Sequence, residues 1–552
     1  MIASVLAPRL RFPLAVGAIA ALFLGVFLLY PLFSVFQASF LDAAGAPTLA
    51  NYARMLTRPL FYRSLGNSLT VAFWATVATV AIGVPLAVCL ARLPVPGKTA
   101  LLALVALPLI LPSFVSAYAM VLLLGRAGIV TTALRSLGLP VGSIYGAPGL
   151  VLTYTLTLFP YVVLPTLAAL KAVDVSIEEA GQNLGATRLR VLATVILPVV
   201  LPSILAGALL VFMEALENFG VPFVLAEDMP VLSVQAYKLF VGEVGANPAS
   251  AGVLAVMLVA CTTGALLLQR LYIARRRYAT QARAAPPEWS ARRGLRAAAA
   301  LYCWGVVLLA LVPFGAVIVL SFVRFRGPVI TGELGLDNFI QLFARSPEPL
   351  FNTILLASGA AAGATVLGVP IGYVLTRTRS GLTHLLDVLA MVPFAVAGTV
   401  LGIGLVIAFN SGFLVLTGGG LILVLAYMVR KLPFSVRASS AILHQIDPCL
   451  EEASINLGVS PLRTFFGLTV PLMLGGIVGG AILTWVTIAS ELSATVVLYS
   501  APWATMTVVM FQALEGTSAG AAAAAATVLV VVAVVPIALV YRLLRRHQSA
   551  LM

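Results

Sequence analysis

The sequence predicts an all-α, polytopic membrane protein of about twelve transmembrane helices in two parallel six-helix repeats, and three observations carry that expectation. The composition is that of a chain dissolved in lipid, with 61% hydrophobic residues, 9% charged residues and a mean hydropathy of +1.08. Apolar runs of the roughly 20 residues needed to cross a bilayer recur along the whole length. The second half also restates motifs of the first in the same order.

Taken in order, the runs fall near 14–36, 68–92, 100–124, 148–170, 199–221 and 251–271, and again near 297–322, 353–376, 385–409, 419–443, 474–497 and 519–544. They are continuously apolar, without the alternation of a barrel strand, and a helix satisfies its own backbone in lipid. The basic residues explain the formal net charge of +14 without nucleic acid. Most lie at the chain ends and in every second loop. The other face holds Arg54, Arg58, Arg63, Arg126, Arg135, Lys238, Arg324, Arg326 and Arg345, nearly balanced by acids. This positive-inside bias places both termini in the cytoplasm. No aromatic platform interleaves the basic groups, which argues against a nucleic-acid partner.

Gly83-Val84-Pro85 returns as Gly368-Val369-Pro370, and Pro108 returns as Pro393 at the same offset. After a shorter loop in the second half, Tyr154 and Pro160 match Tyr427 and Pro433 at a second constant offset. Each copy has an even number of spans, so the copies run parallel and a translocation path is expected where they meet. The boundaries read from this are a first half at 1–272, a cytoplasmic linker at 273–296 containing Pro286-Pro287, and a second half at 297–552. Cys89, Cys261, Cys303 and Cys449 are scattered singly, so neither a disulfide framework nor a metal site is expected.

Between the fourth and fifth spans of each half, where a short turn would suffice, lie two matching segments at 174–198 and 447–471. Asp174 and Asp447 are placed to cap a short helix, with Glu178, Glu179, Glu451 and Glu452 near its positive end. Gly185 and Gly458 are placed to end it at positive φ, and Thr187 and Ser460 to cap a second helix. The residues Glu179-Ala180-Gly181, Gly185, Val195 and Leu197-Pro198, with Glu452-Ala453-Ser454, Gly458, Leu468 and Pro471, closely resemble the EAA loop of ABC importer permeases. Gly181 and Ser454 stand where that motif has its second Ala, and Val470 where it has Leu.

That resemblance implies a type I importer permease fold, with each short helix docking on one subunit of a homodimeric ATPase at the cytoplasmic face. It also implies a periplasmic or extracellular solute-binding protein at the outer face, and a bacterial inner-membrane location. ATP and Mg would be used by the ATPase, with no cofactor and no catalytic residue in this chain. Consistent with this, the nearest approach to a nucleotide-binding loop, Arg92 to Thr99, has Arg92 where the first Gly belongs and lies between two spans rather than after a strand. It reads as a basic turn.

Ionisable residues inside spans default to functional hypotheses. Glu214 and Glu217 lie on one face of the fifth span, Glu491 at a similar place in the eleventh, and Arg430 and Lys431 in the tenth. Glu217, Arg430 and Glu491 are the candidate pathway residues, with Arg430 expected to pair with one carboxylate or to meet the solute. The stretches Asn218-Phe219-Gly220-Val221-Pro222, Leu432 to Arg437 and Glu491-Leu492-Ser493-Ala494-Thr495 resemble the ferric-iron permease group. That group is similar to permeases for thiamine, polyamines and aminoethylphosphonate. An ion-coupled secondary transporter is the alternative of another class. It lacks here the Gly/Asp/Arg-rich loop expected between the second and third spans.

Overall fold

The computed structural model describes residues 2–550 except 43–44, 141, 243–247, 275–287, 290–291, 327–328, 346, 379–380, 413 and 517. Most of the expected linker therefore lies outside the described residues. Among the described residues, ten helices are long and apolar enough to cross a membrane, or up to eleven if one bent pair counts as a single span.

The ninth and tenth runs account for the difference from twelve, and the third and eleventh depart from the expected bounds. The third run is two helices, Lys98–Ile110 and Ser113–Leu124, because Leu111 is extended before Pro112. The ninth is broken at the matching place, and its halves Thr383–Ala395 and Gly398–Phe409 meet at 105°. The tenth, Gly420–Leu443, is long enough but carries Arg430, Lys431 and Arg437. The eleventh, Val470–Ala489, ends before Glu491, which therefore sits in the following turn and not on the helix.

Each half is built on three helices in mutual contact. The second, fourth and fifth spans (Pro59–Arg92, Ala147–Ala172 and Leu197–Glu217) pack together, as do the eighth, tenth and eleventh (Glu348–Arg377, Gly420–Leu443 and Val470–Ala489). The repeated Gly-Val-Pro motif marks a close crossing in each. A Cβ on Gly83 would lie 3.1 Å from Val162, and one on Gly368 would lie 2.5 Å from the hydroxyl of Ser435, the residue matching Val162. Small residues thus let backbones approach where lipid supplies no hydrophobic drive. The same logic holds for Gly476 and Gly480, which face Ile442 and Ala438, but not for Gly475 and Gly479, which face open space.

The halves are intertwined. The first span reaches across to Gly398–Phe409, with Gly404 against the Pro31 carbonyl, and the seventh span, Arg293–Ser321, packs on Ser113–Leu124. Cys89 and Cys303, far apart in sequence, meet across the second and seventh spans. Beyond the first span of each half an asparagine ties the turn. Asn51 Nδ2 donates to the carbonyls of Ser39 and Leu41, and Asn338 Nδ2 to those of Ser321 and Val323. A two-stranded hairpin, Val323–Arg326 with Val329–Leu334, and an isolated antiparallel bridge between Leu41 and Pro47 depart from all-helix structure.

Candidate functional site

Two kinds of site emerge: a pair of loops on one face, and a charged cavity between the halves. The loops take the shape their sequence expects. Asp174 Oδ1 accepts the Ser176 N–H at 2.9 Å, capping Val175–Asn183, and Asp447 Oδ1 accepts the Cys449 N–H at 2.9 Å, capping Pro448–Asn456. That bond pulls the Asp447 carboxyl below its ordinary range, since it favours the charged form. Gly185 and Gly458 end the helices at φ 84° and 87°. Thr187 and Ser460 then accept the N–H groups of Arg190 and Arg463. Both loops enter the next span through a π-helical turn, Leu192–Ile196 and Phe465–Thr469. Glu179 and Glu452 project from the exposed side, whereas Gly181 packs beneath Val191, and Ser454 is bonded to Thr464 at 3.0 Å.

Behind the exposed motif lie residues that motif reading missed. Glu178 and Glu451, one position before the motif glutamates, are buried, and each meets an arginine from the end of a long span, the second in the first half and the eighth in the second. Arg92 NH2 lies 3.5 Å from Glu178 Oε2, and Arg377 NH2 lies 3.1 Å from Glu451 Oε1. Arg92 is therefore no solvated basic turn; it is 0% exposed. Repeat-matched residues of opposite charge were the signal available, since Arg92 aligns with Arg377 and Glu178 with Glu451.

The cavity, of about 120 Å³, is lined by both halves at matching positions. Thr157 faces it where the second half has Arg430, Leu158 where it has Lys431, Tyr161 where it has Phe434, Glu214 where it has Thr487, and Asn218 where it has Glu491. The backbone roles of the last pair are the same. Asn218 Oδ1 accepts the Val221 N–H at 2.9 Å, and Glu491 Oε1 accepts the Ala494 N–H at 3.2 Å, each at the turn into a short helix after its span. The charges are not symmetric, because the tenth span supplies both cations.

Arg430 reaches across the interface. Its NH2 lies 3.7 Å from Glu217 Oε1 and its NH1 3.6 Å from Glu491 Oε1, while Lys431 Nζ lies 3.3 Å from Glu491 Oε2. Arg430 thus joins both candidate carboxylates, where the sequence suggested one. The three partners' side chains are 10%, 7% and 6% exposed for Arg430, Glu217 and Glu491, so their charges are withdrawn from bulk water and hold one another. Glu217 Oε2 and Arg430 NH1 have no hydrogen-bond partner among the described residues. Among those residues no group of three His, Cys, Asp or Glu is placed to hold a metal ion.

Gly398 controls this bridge. A Cβ built there would overlap the Arg430 guanidinium and lie 2.8 Å from Ser493 Cβ. Gly398→Ala is expected to displace Arg430 and cost about 1–3 kcal/mol, the usual penalty for overpacking. Thermal unfolding of the purified protein measures this, and an unchanged midpoint would show that the bridge tolerates displacement.

Residues 83–278 and 364–550 each match the family described as "Binding-protein-dependent transport system inner membrane component". The chain belongs to that family. It is the multi-pass permease of an ABC importer, a transport component, with the family unit present once in each half. The ion-coupled alternative is thereby set aside. The permease is 29% identical over 521 residues to the ferric transport system permease protein of Actinobacillus pleuropneumoniae, covering 92% of this chain and 74% of that one. It is 29% identical over 489 residues to a putative ferric transport system permease protein of Haemophilus influenzae, covering 86% and 76%. A putative 2-aminoethylphosphonate transport system permease protein of Salmonella typhimurium is 29% identical over 259 residues, covering 46% of this permease and 90% of that chain.

Proposed function

We propose that this permease carries ferric iron across a bacterial inner membrane, by alternating access through the cavity between its halves. The observation that carries this reading is the Glu217–Arg430–Glu491 bridge, where carboxylates from the two halves share one guanidinium in a buried, low-dielectric site. In that setting a trivalent cation is strongly drawn to carboxylate oxygens, and Arg430 stands between the two that line the cavity. The cation is a passenger, delivered by a solute-binding protein at the outer face. The named activity of the two relatives that cover most of the chain supports the same solute.

The face bearing Gly185 and Gly458 is cytoplasmic in this reading, as are both termini. Glu179-Ala180-Gly181 and Glu452-Ala453-Ser454 dock on a homodimeric ATPase that uses ATP and Mg, so closure of the ATPases moves the spans. The second reading is 2-aminoethylphosphonate, favoured by the two cations Arg430 and Lys431 in the cavity and by the relative named for that solute.

Proteoliposomes containing the permease, its co-encoded ATPase and binding protein decide between them. Vanadate-sensitive uptake of radioactive iron that falls at least tenfold in Glu491→Gln is the expected result. Uptake of labelled 2-aminoethylphosphonate but not iron would replace the solute, and iron uptake blind to vanadate would overturn the mechanism.

A further inference from the structure

The segment joining the halves carries two residues bonded to the first half, the exposed Glu288 and the half-buried Trp289. Glu288 Oε1 accepts from Lys98 Nζ at 2.5 Å, the Trp289 backbone N–H donates to the Arg92 carbonyl at 2.6 Å, and the Trp289 indole Nε1 donates to Glu178 Oε1 at 2.5 Å. The Trp289 ring packs against the main apolar core. Both targets of Trp289 belong to the pair that ties the first EAA-type helix to the second span.

The second half shows what this contact replaces. There Glu451 accepts from Arg377 Nε at 3.1 Å and from the Tyr373 hydroxyl at 3.1 Å, and Arg377 NH2 also donates to the Ile446 carbonyl at 3.0 Å. Tyr373 lies one helical turn before Arg377. The matching residue one turn before Arg92 is Val88, which has no donor. The two carboxylates therefore receive the same kind of bond, an aromatic side chain's polar hydrogen, from different sources. In the second half it comes from the eighth span itself. In the first it comes from the connector.

We propose that Trp289 is a positioning residue for transport, holding Glu178 and with it the first coupling helix, Val175–Asn183, against the end of the second span, as Tyr373 does for Pro448–Asn456 in the second half. The connector is then a working part of the first coupling element. A force applied to an exposed helix reaches a span only if something stiff joins them. Arg92 cannot do this alone, because its guanidinium nitrogens make no hydrogen bond among the described residues and its pair with Glu178 is 3.5 Å long. The mechanical part of this inference rests on the ABC importer reading given above.

Hydrogen exchange of the full chain in detergent, followed by mass spectrometry, tests the positioning without any ATPase or solute. Trp289→Phe keeps an aromatic ring and the backbone bond to Arg92 but loses the indole donor. It is expected to speed exchange in Val175–Asn183 about fivefold, the worth of one net hydrogen bond, and to leave Pro448–Asn456 unchanged. Tyr373→Phe is expected to do the reverse. In a Glu178→Gln background, Trp289→Phe should add little, because the two act through one contact. Faster exchange in both helices, or in neither, would overturn the proposal.

In the reconstituted importer, Trp289→Phe is expected to lower iron uptake several-fold more than it lowers ATP hydrolysis. Equal losses, or none, would deny Trp289 its part in coupling. If the unaltered importer takes up no iron, the solute assignment has failed, and the exchange pattern still decides this inference.

Discussion

Replacing Arg430 by methionine is expected to abolish uptake and to destabilise the permease by about 3–5 kcal/mol, the cost of leaving buried charges without their partner. The removed guanidinium meets Glu217 from one half and Glu491 from the other, and among the described residues Lys431 forms an ion pair with Glu491 alone. Glu217 would then stand ionised in a low-dielectric site, or take up a proton, and either outcome removes the charged link between the halves. Arg430→Lys should rescue little, since one ammonium on a flexible stem cannot span two carboxylates as the planar fork does. Combining Arg430→Met with Glu217→Gln should recover much of the stability and none of the transport. Thermal unfolding in detergent alongside vesicle uptake reads both quantities. Retained transport in Arg430→Met would remove the bridge from the pathway.

The second large effect is expected at the two loop glycines. A Cβ at Gly185 or Gly458 would meet nothing within 4 Å, so space does not require glycine there. Conformation does, because φ of 84° and 87° lies in the left-handed region, where an L-residue costs about 1–2 kcal/mol. Valine is worse placed than most, being β-branched. The double variant Gly185→Val, Gly458→Val should redirect both short helices and lower uptake by more than tenfold. Gly185→Asn with Gly458→Asn should stay near the parent, since asparagine tolerates this region. If valine and asparagine behave alike, backbone conformation is not what these positions supply.

The loops were legible because every feature in them is local. Caps at Asp174, Thr187, Asp447 and Ser460, and the turns at Gly185 and Gly458, depend on neighbours within a few residues, and each is written twice. The breaks in the third and ninth spans were less legible. Pro112 announces the first, but the 105° bend between Thr383–Ala395 and Gly398–Phe409 has no proline at its vertex. Gly398 is needed there because Arg430 and Ser493 press against it.

By itself, the amino-acid sequence determined the solvent, the two parallel repeats, the helical spans and the twin loops, since hydropathy, duplication and capping are properties of contiguous residues. Only the tertiary structure decided which charges share a partner. Arg430 lies between Glu217 and Glu491, Arg92 beside Glu178, and Trp289 behind the first loop. Those pairings join residues on different spans, and in a low-dielectric interior a buried charge is stabilised by whichever partner packing brings within a few ångströms, however distant it is along the chain.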